Sequence, residues 1–247
     1  MRLHRFYVSQ KIGDQKELTV DSAELVSQVR RVFRLKPGDP IVLFDGSGFD
    51  YECTIDNYSM RSKMEDDSVI KLRVTHSGPS RFTPTRTLYL LAAVVKKDTF
   101  EWIAEKATEL GVTDIIPIVA ERSEKKSLNE ERLKKIVTEA SEQSGRGATP
   151  MVHQIMGLGD AAAFLKSHEK DIQMIAFHTE GELLNRSDLN RSDLGMAIFI
   201  GPEGGWSPAE IEMFHSENIP VRCLGPQVLR AETAVVASLS QVAFPNL

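Results

Sequence analysis

The chain has 247 residues, 41% of them apolar and 26% charged, with a net charge of -5 at neutral pH and two cysteines, Cys53 and Cys223. Such a chain can bury one large core or two smaller ones. Its composition excludes a disulfide framework, and no apolar run is long enough to cross a bilayer as a helix. The opening residues, MRLHRFYVSQ, are basic but lack the apolar stretch and small-residue cleavage site of a signal peptide. A cytoplasmic setting is therefore expected. Charge is uneven along the chain. Residues 1–86 carry 14 Lys and Arg against 12 Asp and Glu, whereas residues 87–247 carry 16 against 23. Arg30, Arg31, Arg34 and Lys36 cluster in the first part. Such a cluster can hold phosphates despite an acidic total, although a solvated helix face accounts for it more simply.

The first 75 residues are strand-rich. LHRFYV is the first predicted strand. SAELVSQVRRVFRLKPGD fits one helix, with Ser22 as cap and Pro37-Gly38 as its end. DPIVLFDGSGFDYECTI gives two strands around the Gly46–Gly48 turn, and SVIKLRVTH gives another. A small barrel with one helix satisfies these signals. Residues 76–86, HSGPSRFTPTR, combine turn residues with little apolar content and are the expected linker.

From residue 87 to 247 the pattern alternates. Strands are predicted at 88–95, 114–120, 172–178, 196–200 and 221–224. Helices are predicted from Thr99 to Gly111, from Asn129 to Ser144, over 157–168, from Pro208 onward and from Ala231 onward. This is α/β architecture with a mainly parallel sheet covered on both faces. The charged segment 121–135 fits a solvated loop and helix start.

The chemistry concentrates in the last quarter. Two glycine-containing loops, IFIGPEGGWSPAE from Ile198 and CLGPQVLRAETA from Cys223, each follow a short apolar run and precede a helix. Ser207-Pro208-Ala209-Glu210 is a capping box with proline at the first helical position. Glycine lets the backbone turn sharply or approach a ligand. A well-made turn would explain one such loop. Two of them, carrying Glu203, Arg230 and Glu232, point to a site. Successive parallel strands often lie side by side, so the two loops can converge on one ligand. Neither is a P-loop or a dinucleotide fingerprint, so a pyrophosphate grip is not expected. Spacing alone leaves the ligand open, and both a metabolic α/β enzyme and an RNA-binding module without catalysis fit.

A family resemblance narrows this. MRLHRFYV, LKPGDPIVLFDGSG, KKDTFEWIAEKATELGVTDIIPIVAERS, KKIVTEASEQSGRGATP, FIGPEGGWSPAEIE and LGPQVLRAETAVVASL resemble, in this order and over almost the whole chain, the RsmE family. These are ribosomal RNA uridine-N3 methyltransferases of the SPOUT class. The resemblance implies a PUA-like RNA-binding domain over residues 1–75 and a methyltransferase domain over 87–247. It also implies that the second domain is tied in a deep trefoil knot. The strand and helix pattern carries no sign of a knot, and threaded chains are almost absent among proteins.

The resemblance further implies S-adenosylmethionine as cofactor, a homodimer as the assembly, and 16S ribosomal RNA within the small subunit as substrate. The cofactor positions carried over are Phe177, His178 and Glu180; Ile200, Gly201, Pro202, Glu203, Gly204 and Gly205; then Leu224, Gly225, Gln227, Leu229, Arg230, Thr233 and Ala234. Arg2, Arg5, Arg30, Arg31 and Arg34 are the candidates for RNA. The chain departs from the family's usual pattern at Gln28, Lys134 and Gln227, where histidine, tryptophan and arginine respectively are common.

N3 of uridine is a poor nucleophile while protonated, so the proton must leave before or during attack. A cation near O2 or O4 would stabilise the developing anion. Arg230 is the first choice for that role and Arg5 the second. Glu203 or Glu232 would order Arg230 or accept the proton. N3 lies on the pairing edge, so the uridine must be unpaired or flipped. No metal is implied, since the cysteines and histidines lack ligand spacing.

Overall fold

A computed structural model describes residues 3–60, 68–169, 171–189 and 194–243. The chain divides into two compact units, Met1–Thr83 with Ser141–Ala148, and Pro84–Ala140 with Thr149–Leu247.

The first unit holds five strands: β1 (Arg5–Tyr7), β2 (Glu17–Val20), β3 (Pro40–Phe44), β4 (Phe49–Met60) and β5 (Ser68–Pro79). Their order is β1-β3-β4-β5-β2. The β1–β3 pair is parallel and the others are antiparallel. Phe6, Leu18, Ile41, Leu43, Ile55, Ile70 and Leu72 fill its core, as expected of a small barrel with one helix. β2 is an addition to the predicted strands. Its signal was only four residues long, with Leu18 and Val20 alternating inward.

The predicted single helix is shorter and of two kinds. Ser22 does cap it, its hydroxyl accepting from the Leu25 amide at 3.3 Å. The α-helix α1 spans only Ala23–Ser27, and Gln28–Val32 continue it as a wider π-helical turn. That turn keeps Val29 in the core while Arg30, Arg31 and Val32 stay exposed. It closes with the Phe33 amide on the Gln28 carbonyl at 3.0 Å, and Arg34 follows in a left-handed conformation.

The stretch read as a linker begins as strand. His76–Pro79 pair with Phe49–Glu52 of β4, which supplies backbone partners that composition does not reveal. The last turn of α3 (Glu130–Ser144) and the loop to Ala148 also belong to this first unit.

The second unit is built on β6 (Leu88–Ala93), β7 (Asp114–Val119), the short β8 (Met151–Val152) and β9 (Met156–Gly157), β10 (Ile172–Leu183), β11 (Gly195–Ile200) and β12 (Val221–Cys223). The order is β12-β10-β11-β6-β7-β8, with β9 also pairing β7, and every pairing is parallel. Strand periodicity divides the core in two. Leu88, Leu90, Ala92, Ile175, Met196 and Ile198 face one side. There they meet Phe100 and Ile103 of α2 (Lys97–Glu109), Leu133 and Val137 of α3, and Val235 and Leu239 of α6 (Ala231–Ala243). Tyr89, Leu91, Ala93, Ala197 and Phe199 face the other side. They meet Ala161 and Leu165 of α4 (Leu158–His168) and Phe214 of α5 (Pro208–Ser216). Burial on both faces explains the continuous apolar runs of these strands.

Candidate functional site

The site lies at the carboxyl ends of three neighbouring strands of the second unit. β10 sits between β11 and β12. The two glycine-containing loops therefore do not follow adjacent strands, as successive order had suggested; β10 separates them and supplies a third wall.

That wall is a bulge. β10 pairs with β12 at Phe177↔Arg222 and again at Glu182↔Arg222, so residues 178–181 are left out of the ladder. Gly181 permits this. A Cβ there would lie 2.6 Å from the Arg222 carbonyl carbon, closer than any side chain can stand. Arg222 then locks the base of the bulge. Its Nε and Nη2 donate to the two Asp188 carboxylate oxygens at 2.9 and 3.0 Å, and Nη1 donates to Glu182 at 3.0 Å. The hydrogen bond from Arg222 holds the Asp188 carboxyl below the usual carboxylate range. Within the bulge, His178 Nδ1 faces the Glu180 amide at 3.2 Å.

The loop after β11 is fixed from beneath. Gly205 donates to the Pro202 carbonyl at 2.8 Å and takes a positive φ of 68°. Trp206 turns inward, buried, with Nε1 donating to the Phe177 carbonyl at 3.0 Å and its ring edge-on to Phe214. Gly201 lies flat against the indole: a Cβ there would meet three of its atoms at 3.1 to 3.3 Å. The expected capping box forms, with Ser207 Oγ accepting from the Glu210 amide at 3.3 Å and Glu210 accepting from the Ser207 amide at 2.8 Å. Glu210 also accepts from the Glu121 amide at 2.8 Å, which ties in the loop after β7. From that loop Arg122 Nη1 donates to the Gly204 carbonyl at 2.8 Å.

These loops enclose a cavity of about 720 Å³. The predicted positions Phe177, His178 and Glu180 line it, as do Ile200 to Gly205 and, from the third loop, Leu224, Gly225, Gln227, Leu229 and Ala234. Arg230 and Thr233 are not among its lining residues. Arg230 opens α6 through its carbonyl, which accepts from the Ala234 amide at 2.8 Å. Its side chain is 86% exposed, and its guanidinium stands 4.0 Å from Glu232. Glu203 is exposed on the β11 loop.

Arg5 serves elsewhere. It lies in the first unit, 9% exposed, with a fork on Asp50 and further donations to the Ser141, Glu142 and Arg146 carbonyls. All these partners belong to its own unit, and its described work is to brace the 141–146 segment. Among the RNA candidates, Arg30 is exposed and lies over the Tyr58 ring, 5.5 Å from its centroid. Arg31 and Arg34 are exposed beside it. Arg2 lies outside the described residues.

Sequence reasoning missed several lining residues: Arg122, Trp206, Ile211 and His215 of α5, Cys223 and Val228. Trp206 stood inside the motif and could have been read as its floor. Arg122 sat in a charged segment that resembles any solvated loop.

Chemically, the cavity is a mixed cleft: Phe177, Ile200, Leu224 and Leu229 give it apolar surface, and Arg122, Glu180, Glu203 and Glu212 give it charge. Its size suits a small ligand. Apolar surface of this kind fits the adenine and aliphatic parts of S-adenosylmethionine, and carboxylates fit its positive charge; neither needs a phosphate grip.

The profile of the RNA methyltransferase domain family matches residues 83–243. Ribosomal RNA small subunit methyltransferase E of Rickettsia conorii is 30% identical over 246 residues, covering 98% of this chain and 96% of that one. The protein of the same name from Bacillus subtilis is 30% identical over 258 residues, again with 98% and 96% covered. Among solved structures, a Legionella pneumophila protein described as a methyltransferase, in complex with the cofactor SAM, superposes with a TM-score of 0.83 at 26% identity, covering 99% of this chain and 98% of that one. A small subunit methyltransferase E from Neisseria gonorrhoeae shares the fold, with a TM-score of 0.81 at 24% identity over 97% of both chains. On these matches, nearly full-length in both directions, the chain belongs to the ribosomal RNA small subunit methyltransferase E family of RNA methyltransferases.

Proposed function

We propose that this protein methylates N3 of a uridine in 16S ribosomal RNA, with S-adenosylmethionine as donor. The observation that carries this is the cavity at the carboxyl ends of β10, β11 and β12, lined by both apolar and charged residues. Phe177, Ile200, Leu224 and Leu229 would hold the cofactor's apolar surfaces, and the backbone of Gly201 to Gly205 and of Leu224 to Leu229 its base edge. When bound, the cofactor supplies an electrophilic methyl group on a sulfonium.

The chain's own task is to position an unpaired uridine and stabilise the charge that forms as N3 loses its proton. Arg230 is the candidate for this task. Leu229 and Ala231, on either side of it, line the cavity, and its own side chain is exposed to solvent. It stays protonated and acts electrostatically, not as a base. Glu203, on the same rim, or Glu232, beside Arg230, takes the N3 proton or hands it to water.

RNA is held by the first unit through Arg30, Arg31 and Arg34, with Arg2 as a further candidate. The working assembly is a homodimer in the cytoplasm; among the described residues no helix is long and apolar enough to cross a membrane. Light scattering at micromolar concentration should give twice the chain mass of 27.6 kDa.

The test uses small ribosomal subunits that lack the modification, labelled S-adenosylmethionine and nucleoside mass spectrometry. N3-methyluridine is the expected product. Arg230→Ala should abolish most of it while cofactor affinity stays near wild type. Label in another nucleoside, or none at all, would overturn the reading.

A further inference from the structure

The cavity has a cation that lies within the strings carrying the family resemblance but was assigned no role there. Arg122 is the sole lysine or arginine among its lining residues, which also include Glu180, Glu203 and Glu212. Its placement is built. The turn that carries it is closed by the Ser123 amide donating to the Ala120 carbonyl and the Ala120 amide donating to Ser123 Oγ, both at 3.1 Å. The adjoining Glu121 amide is held by Glu210 of the capping box at 2.8 Å. The side-chain stem then lies against Gly204, where a Cβ would stand 3.4 Å from the Arg122 Cβ and 3.5 Å from its Cδ. The guanidinium ends on the Gly204 carbonyl through Nη1.

That bond uses one of the five N–H groups a guanidinium offers. Arg122 is exposed and fixed at one edge of its fork, and among carboxylates that would repel an anion it is the one lining side chain of Lys or Arg type that can hold an incoming oxyanion.

We propose that Arg122 is the oxyanion-binding residue of this site. It is anchored on Gly204 and presents its remaining N–H groups to a carboxylate or phosphate entering the cavity. The assignment rests on the methyltransferase reading above. Within that reading two oxyanions reach the cavity: the carboxylate of the cofactor's amino-acid end and a phosphate flanking the target nucleotide. Arg122 and Arg230 then have separate tasks, the first on an anion present throughout the reaction, the second on charge that develops during it.

Calorimetry on the intact protein separates the sources. The probes are S-adenosylhomocysteine, which carries the carboxylate, and methylthioadenosine, which lacks it. Arg122→Gln and Arg122→Lys are compared with wild type, with thermal unfolding to verify the fold. If the anion is the cofactor's carboxylate, Arg122→Gln weakens S-adenosylhomocysteine roughly tenfold or more and leaves methylthioadenosine unchanged. Arg122→Lys, which keeps the charge but loses the fork, falls between. If the anion is a phosphate, both probes bind as in wild type, but the KM for RNA rises and the salt dependence of RNA binding falls, with kcat nearly constant.

Equal weakening of both probes would show that Arg122 only braces the Gly204 turn, and would overturn the assignment alone. No change in probe affinity, RNA KM or salt dependence would also overturn it. Wild-type protein that binds neither probe would overturn the cofactor reading, and the assignment with it.

Discussion

The fit of Gly201 against Trp206 predicts what a single methyl group does to the site. In Gly201→Ala the new Cβ would meet Cε2, Cδ2 and Nε1 of the indole at 3.1 to 3.3 Å. Comfortable carbon contacts fall at about 3.5 to 4.0 Å, so the ring must retreat by roughly 0.4 Å. It has little room to do so. Trp206 is 2% exposed, packs edge-on to Phe214 and is tethered through Nε1 to the Phe177 carbonyl. Overpacking of this kind costs about 1–3 kcal/mol. In a unit of this size that lowers Tm by roughly 2–4 °C per kcal/mol.

The same push reaches the ligand, because Phe177 and Gly201 both line the cavity. S-adenosylhomocysteine affinity should fall by about tenfold for each 1.4 kcal/mol that binding must spend restoring the wall. Trp206→Phe removes Nε1 and leaves the Phe177 carbonyl without that donor, at a cost of about 1–3 kcal/mol. Because it also removes one of the three crowded atoms, the double variant should be less destabilised than the sum of the singles, by at least about 0.5 kcal/mol. Urea unfolding and calorimetry measure both quantities. Wild-type stability in Gly201→Ala, or strict additivity in the cycle, would refute the claim that glycine is needed there to seat the indole.

Three further outcomes follow from other parts of the molecule. Asp188→Asn should cost about 1–3 kcal/mol at neutral pH by breaking the charged fork from Arg222. Because the native carboxyl is depressed, its contribution is present above the ordinary carboxylate value near 3.9 and is lost as pH falls through the folded value; urea titrations from about pH 5 down to about pH 2 should therefore give a steeper acid loss in wild type than in the variant. Neutralising Arg30 and Arg31 together should weaken RNA binding and reduce its log–log salt slope by roughly 0.7 for each phosphate no longer neutralised, with cofactor affinity unchanged; an unaltered slope would make these arginines a merely solvated face. Thiol titration should find one fast cysteine, Cys223 at the cavity, slowed by S-adenosylhomocysteine. Cys53, buried and with its thiol pushed up to about 12 by desolvation, should react only on unfolding.

Much of the fold was legible because burial on both faces writes long apolar runs, and caps write boundaries. The five main strands of the second unit emerge from such runs, and Ser207 with Glu210 fixes the start of α5 as the motif implies. What escaped was structure whose partners lie far along the chain. β2 is short, and its inward pair of apolar residues gains meaning only beside β5. His76–Pro79 look like linker because their partners are backbone groups of β4. The π-helical turn after α1 rests on backbone hydrogen bonds, among them Phe33 to Gln28, which side-chain periodicity does not encode. The trefoil path implied by the resemblance has no periodic signature either, since it depends on the order in which loops are threaded.

The candidate site was legible to the same degree and for the same reason. Fourteen of the sixteen carried-over cofactor positions line the cavity, because glycine, proline and capping residues mark where a backbone must turn against a ligand. Side-chain roles were harder. Arg5 and Arg230 are identical as residue types, and the sequence could only rank Arg230 ahead of Arg5 by its place in a glycine-containing loop. Only the fold separates them. Arg5 meets Asp50 and three carbonyls that consume its guanidinium, whereas Arg230 follows Leu229 onto an exposed rim with Glu232 at the limit of an ion pair. A guanidinium with its donors already used has little left for a substrate, and one held at 86% exposure has yet to be desolvated. The strength of Arg230 should therefore appear only when RNA closes over the rim and lowers the local dielectric. On that argument the loss in Arg230→Ala falls on kcat with RNA bound, and cofactor binding in the open protein barely registers it.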